Sequence, residues 1–145
     1  MSATAQMLGN IDLFAEVPIA VREEMSTRGS TRQLPAGSPI VTQGQEDSGL
    51  QMLLSGTADV IVHGNAVRTL GVGDYFGEIS LIDGRPRSAT IVAGAEGCRT
   101  FTVSPLLFWQ IIDEHKGIAR VVMKGLTQRL RGAEEALQAA RNANG

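Results

Sequence analysis

One cysteine and two histidines in 145 residues leave little from which to build a metal centre or a redox site. Cys98 has no second cysteine to pair with and lies in the strand candidate Cys98–Val103, so it reads as a buried structural thiol. His63 and His115 stand in unlike surroundings, whereas a metal-dependent catalyst of the small double-stranded barrel type needs clustered His and Glu ligands. No serine sits in a nucleophile-elbow pattern and Cys98 has no evident partner base, so no enzymatic activity and no catalytic cofactor are expected. Also missing is any apolar run approaching the roughly 18 residues that a membrane-spanning helix needs. The segment Met1 to Gly9 lacks the basic-then-apolar order of a secretory leader. A soluble, cytoplasmic protein is the expectation. Basic residues are not in excess, the net charge being −2, so electrostatics give no reason to expect nucleic acid as a partner.

What the chain does have is glycine, 17 in all, most of it between Gly29 and Gly97 among short β-branched runs. That is how a turn-rich β-domain reads. The length suits one domain with a hydrophobic core, residues 1–145, divided into three zones. Residues 11–29 read as N-terminal helix, with Leu13, Phe14 and Val17 as an apolar entry and Pro18 in the first turn. Residues 30–103 read as short strands: Thr31–Leu34, Pro39–Thr42, Leu50–Ser55, Ala58–His63, Ala66–Leu70, Ser88–Ala93 and Cys98–Val103. Gly64-Asn65 is a two-residue hairpin signal, and strands at this spacing imply an antiparallel barrel or jelly roll, a β-roll. Residues 104–143 are helical again. Ser104 caps a helix opened by Pro105, Gly117 interrupts, and a longer helix follows from Ile118 to about Arg141. Its apolar positions Val122, Leu126, Leu130, Ala133, Leu137 and Ala140 lie close to a heptad seam, fit either to pack on the roll or to pair two chains.

One stretch breaks the rhythm of strands. Between Gly71 and Thr90 the chain reads GVGDYFGEISLIDGRPRSAT, and Ile79, Leu81 and Ile82 have helical spacing over about two turns. A helix start near Gly77–Ile79 offers N–H groups without intrahelical partners, which favour an anion. Gly77 lets a ligand approach the backbone. Arg87 follows the helix and brings a fork of donors suited to phosphate oxygens. Glu78 would repel a phosphate, and makes sense if it accepts hydrogen bonds from sugar hydroxyls. An acid for a diol and an arginine with helix N–H groups for a phosphate together describe a nucleotide.

Phe76-Gly77-Glu78-Ile79-Ser80-Leu81-Ile82, a short gap and then Pro86-Arg87-Ser88-Ala89-Thr90 resembles the phosphate-binding cassette of the cyclic-nucleotide-binding domain family. That family includes the catabolite activator protein, the regulatory subunits of cAMP-dependent protein kinase and cyclic-nucleotide-gated channels. The similarity extends to Gly44, Asp47 and Gly56 in the early strands and to the flanking helices. It implies a β-roll with C-terminal lid helices, Glu78 on the ribose 2′-hydroxyl, and Arg87 on an exocyclic phosphate oxygen. Further contacts would come from Phe76, Gly77, Ile79, Ser80, Ser88 and Ala89. A threonine after the arginine tends to accompany cGMP preference in the family. Ser88 stands there in this chain, which favours cAMP over cGMP.

Blander roles compete for some of these residues. Glu78 and Arg87 can pair with each other as a structural salt bridge, and Phe76, Ile79, Leu81 and Ile82 can be core. Phe108 and Trp109 read as helix core. Arg120, Lys124, Arg129 and Arg131 read as a solvated face, with the lesser alternative that one reaches the ligand. The helix-turn-helix of family transcription factors, the membrane helices of channels and the tandem cassettes of kinase subunits do not appear in these 145 residues. The resemblance therefore implies output through a protein partner or a homodimer formed by the terminal helices, or the cytosolic gating domain of a larger channel or regulator. A ligand-free scaffold is the reading from a different class.

Overall fold

The glycine-cut, β-branched middle of the chain folds into an antiparallel sheet with helices before and after it, in a computed structural model that describes residues 2–44, 49–85 and 89–144. The N-terminal helices are α1 (Ala3–Leu8) and α2 (Ile19–Arg28), with a 3-10 turn at Asp12–Phe14 between them. The strands are β1 (Ser30–Leu34), β2 (Pro39–Val41), β3 (Leu50–Val62), β4 (Asn65–Leu70), β5 (Tyr75–Phe76) and β6 (Thr90–Val103). A single helical turn, α3 (Ser80–Asp83), sits between β5 and β6, and α4 (Pro105–Glu114) and α5 (Ile118–Asn144) close the chain. The N-terminal stretch, read only for a leader, contains α1, and the hydroxyl of its N-cap Ser2 accepts the Ala5 N–H.

Two long strands carry the sheet. β3 and β6 pair antiparallel from Leu50↔Val103 to Ile61↔Thr90, and every other strand attaches to one of them: β1 and β2 to β6, β4 and β5 to β3. The sequence suggested four short strands in their place, divided at Ser55-Gly56 and Gly94. Gly56 instead lies at φ 78°, between register shifts at Leu53/Ser55 and Gly56/Ala58. It bends a continuous strand as a bulge and does not end it. The hairpin also sits one residue earlier than expected. Val62 pairs with Asn65, so the loop is His63-Gly64, with φ of 50° and 81° as a type I′ turn requires.

Alternation along the strands makes two cores. Met52, Phe101 and Val103 face the helices and pack with Leu8, Phe14, Met25, Phe108, Ile111 and Val122. Leu53, Leu34, Ile40, Leu70, Ile91 and Cys98 fill the inside of the roll, where burial pushes the Cys98 thiol pKa up and leaves it protonated. Leu81 joins the helix-side core, but Ile79 and Ile82, both candidates for core, are 49% and 38% exposed. One turn of helix can bury only one side. Trp109 corrects the expectation in the same way. It is 43% exposed and meets buried Phe108 edge-on at 5.1 Å, because neighbours on a helix point about 100° apart.

The heptad-like stripe of α5 divides between its two readings. Ile118 and Val122 are buried and Leu126 is partly buried against the helix-side core, whereas Leu130 and Leu137 are 60% and 53% exposed. The α5 backbone also approaches the 3-10 turn closely, since a Cβ on Gly125 would lie 2.3 Å from the Asp12 carbonyl oxygen. No helix among the described residues is long and apolar enough to cross a membrane.

Candidate ligand-binding site

Between the roll and α3 lies a cavity of about 430 Å³, within the range typical of small-molecule sites. Val41, Val60, Leu70 and Ile91 give it an apolar wall from the sheet, and the turn from Phe76 to Ser80 lines the other side. Pairing of Tyr75-Phe76 with Gln51-Met52 fixes where that turn begins, a two-residue strand the sequence did not announce. Gly77 then takes φ 86°, a conformation that strains any residue with a Cβ. The first intrahelical bond runs from the Leu81 N–H to the Gly77 carbonyl. The N–H groups of Glu78, Ile79 and Ser80 therefore belong to a helix start, which has no carbonyl one turn back. The helical stretch is one turn and not the two its spacing suggested, because Gly84 ends it in the left-handed region at φ 67°.

Glu78 is the charged residue that this turn buries, at 8% exposure. A carboxylate this far from water needs a partner, and it has one. Arg129 Nη1, from α5, donates to Glu78 Oε1 across 51 residues of sequence. A second cavity of about 390 Å³ lies on that side, bordered by Arg129, Tyr75, Asp74 and Arg68. Glu78 thus stands between two cavities, while Arg129 borders only the smaller one. Burial raises the Tyr75 phenol pKa, and the Asp12 and Glu78 carboxylates add to the effect. A hydrogen bond with the Asp12 backbone and the nearby Arg129 charge oppose it. The phenol stays protonated at neutral pH and ties β5 to the same 3-10 turn on which Gly125 rests.

The site has recognisable kin. A profile of the family described as cyclic nucleotide-binding domain matches residues 31–115, more than half of the chain. The chain belongs to the cyclic nucleotide-binding domain family. It is 33% identical over 112 residues to a cGMP-dependent protein kinase of Toxoplasma gondii, an alignment covering 77% of this chain and 11% of the kinase. It is 44% identical over 61 residues to a cAMP-dependent protein kinase regulatory subunit of Aspergillus niger, covering 41% of this chain and 15% of that protein. These curated relatives are thus several times longer than the part this chain matches. Among solved structures, the Thermus thermophilus catabolite activator protein superimposes with a TM-score of 0.69 at 27% identity, over 90% of this chain and 63% of that one. The antiparallel sheet between N- and C-terminal helices is the cyclic nucleotide-binding domain fold.

Of the residues singled out from sequence, Phe76, Gly77, Glu78, Ile79, Ser80 and Ala89 all border the larger cavity. Arg87 and Ser88 lie outside the described residues, as does Asp47. Three residues near the site had not been anticipated in these places. Arg68, on β4, borders both cavities. Tyr75 is one letter of the cassette strip, and Arg129 belongs to the face read as solvated, with the lesser alternative that one of its cations reaches the ligand. The available signal for Arg129 was Gly125, a glycine inside a helix one turn before it, which marks a close approach of that face to something.

A second polar cluster lies away from the cavities. His115 Nε2 is 2.6 Å from Glu24, and Arg28 reaches Glu24 and Glu114 at 2.7 Å each, joining α2 to α4. The two histidines looked isolated in sequence, yet folding sets His115 between two acids. The Arg28 guanidinium already supplies a cation to both carboxylates, so the cluster reads as a bridge between helices.

Proposed function

We propose that the chain is a cyclic-nucleotide sensor that binds its ligand in the cavity between the roll and α3 and reports occupancy through α5. Glu78 takes the ribose 2′-hydroxyl, and Arg87 takes an exocyclic phosphate oxygen. The Gly77–Ser80 turn, Ser88 and Ala89 add phosphate contacts, with Phe76 and Ile79 at the edge of the site. The observation that carries this reading is the placement of Glu78. A largely buried carboxylate at the wall of a cavity of nucleotide size, on a helix-start turn, is what a diol beside a phosphate calls for.

The sensor is non-enzymatic. Residues 1–145 act as one domain, and a cytoplasmic location goes with this role. Binding shifts α5 by as much as the ligand prefers one arrangement over the other. The exposed part of α5, with Leu130 and Leu137, then meets a protein partner or a second copy of the chain. Ser88 favours cAMP as the ligand. Arg68 supports cGMP as a second reading, because an arginine fork matches the O6 and N7 acceptors of guanine, whereas adenine presents a donor at N6.

Calorimetric titration of nucleotide-stripped protein with cAMP and with cGMP tests the proposal and ranks the two bases. Arg87→Ala is expected to weaken the preferred ligand by about 2–5 kcal/mol, the range for removing one member of a buried charged pair. A loss smaller than about tenfold, or roughly 1.4 kcal/mol, overturns the role of Arg87. Absence of heat and of thermal shift with either nucleotide overturns the sensor and favours a scaffold.

A further inference from the structure

The pair between Glu78 and Arg129 joins the buried carboxylate of the site to the C-terminal helix. Its two members are unequally placed. The Glu78 side chain is 11% exposed and faces both cavities, whereas the Arg129 side chain is 37% exposed and borders only the smaller one. A molecule in the larger cavity can therefore meet Glu78 without displacing Arg129. A carboxylate accepts at two oxygens, and among the described residues the guanidinium bonds Oε1 alone, leaving Oε2 to a second donor. The pair also offsets the cost of keeping a charge in a site screened from water.

Arg129 is itself held in place. Gly125 lies one helical turn before it, on the same face of α5, and lets that face approach the Asp12 carbonyl and the Leu13 backbone. The Asp12 N–H of the same 3-10 turn donates to the Tyr75 phenol oxygen, and Tyr75 borders both cavities. The Glu78 carboxylate is thus met on its far side by a residue of α5.

We infer that Arg129 is the positioning residue for Glu78. It holds the carboxylate turned to receive a hydroxyl from the larger cavity, and it makes that contact depend on where α5 lies. The inference rests on the proposed nucleotide site but adds a partner for Glu78 and a route from ligand to helix. An arrangement in which Arg129 merely blocks Glu78 until ligand expels it predicts the opposite sign on removal.

The test is titration of the nucleotide-stripped full chain with cAMP and cGMP and with their 2′-deoxy counterparts, using wild type, Arg129→Ala, Arg129→Lys and, as a control, the exposed Arg131→Ala. Arg129→Ala is expected to weaken the preferred ribonucleotide about tenfold, the low end for losing a hydrogen bond to a charged group. The 2′-deoxy ligand should change less than about twofold, since it makes no use of an oriented Glu78. Arg129→Lys should recover part of the loss by restoring the charge without the planar fork, and Arg131→Ala should match wild type. If Arg129→Ala fails to fold, Arg129→Gln, which keeps N–H donors and loses the charge, carries the same comparison. Tighter ribonucleotide binding by the alanine variant makes Arg129 a competitor and overturns the inference. Equal losses for ribo and 2′-deoxy ligands make it a scaffold and overturn it as well. A wild type that binds neither nucleotide instead removes the site itself, and this inference with it.

Discussion

Two ion-pair clusters tie distant helices to the rest of this molecule, and they differ in almost everything except charge. Arg28, Glu24, Glu114 and His115 join α2 to α4 on an outer face, with side chains between 31% and 49% exposed where two guanidinium bonds measure 2.7 Å. Glu78 and Arg129 join the α3 turn to α5, with the acid withdrawn from solvent and a cavity on each side of it. The first cluster is surrounded by water that can replace any member, so its contribution to stability is small and screened by salt. The second places a carboxylate where water cannot easily replace its partners, so each remaining oxygen lone pair is worth filling. Burial beside open volume, more than the presence of charge, separates a candidate binding element from a helix clamp.

The comparison can be broken at several points. The largest effect is expected at Glu78, where replacing the acid by alanine should cost a cyclic ribonucleotide about 2–5 kcal/mol of binding. Gly125→Ala comes next. Its new Cβ would meet the Asp12 carbonyl at 2.3 Å and must push α5 away from the 3-10 turn. A destabilisation of about 1–3 kcal/mol is expected, as for other overpacked contacts, and denaturant unfolding measures it. Because the displaced helix carries Arg129, ribonucleotide affinity should fall too. An unchanged midpoint together with unchanged affinity would show that α5 does not set the site.

The smallest effect is expected from Arg28→Ala, which should leave nucleotide affinity unchanged and lower the melting temperature only slightly. The cluster should show itself in acid. Arg28, and after it His115, holds the Glu24 carboxyl below the ordinary carboxylate value. A group whose pKa is depressed in the folded state lends stability that is complete above its unfolded value and vanishes as pH falls through the folded one. Wild type should therefore lose this increment below the ordinary carboxylate range, and Arg28→Ala should show a flatter acid limb in melting temperature against pH. Identical acid limbs would leave the cluster with no part in folding stability.

Much of the site could be read from sequence because its residues are neighbours. Phe76 to Ser80 and Ala89 fall within one strip, and a glycine, an acid and an arginine at that spacing have few other joint uses. What could not be read is what folding assembles. Arg129 looked like one of several cations on a solvated helix, because its partner lies 51 residues away. His115 and Glu24 are 91 residues apart in the same sense. Local signals misled where one residue serves two geometries. Glycine at position 56 marks a bulge as readily as a turn, so one long strand was divided into two. Trp109 and Ile79 are apolar residues at the edge of a helical face, where composition says core and angle says surface. The stripe on α5 kept both of its readings, since its first turns are buried and the later ones are open.

The most direct measurement is a calorimetric comparison of a cyclic ribonucleotide with its 2′-deoxy counterpart, on stripped wild type and on Glu78→Ala. Wild type should prefer the ribonucleotide by at least about tenfold, the scale of one hydrogen bond to a charged group. That preference should disappear in the variant. Equal affinity of wild type for both ligands, or a preference that survives loss of the carboxylate, would contradict the assignment of Glu78 to the ribose.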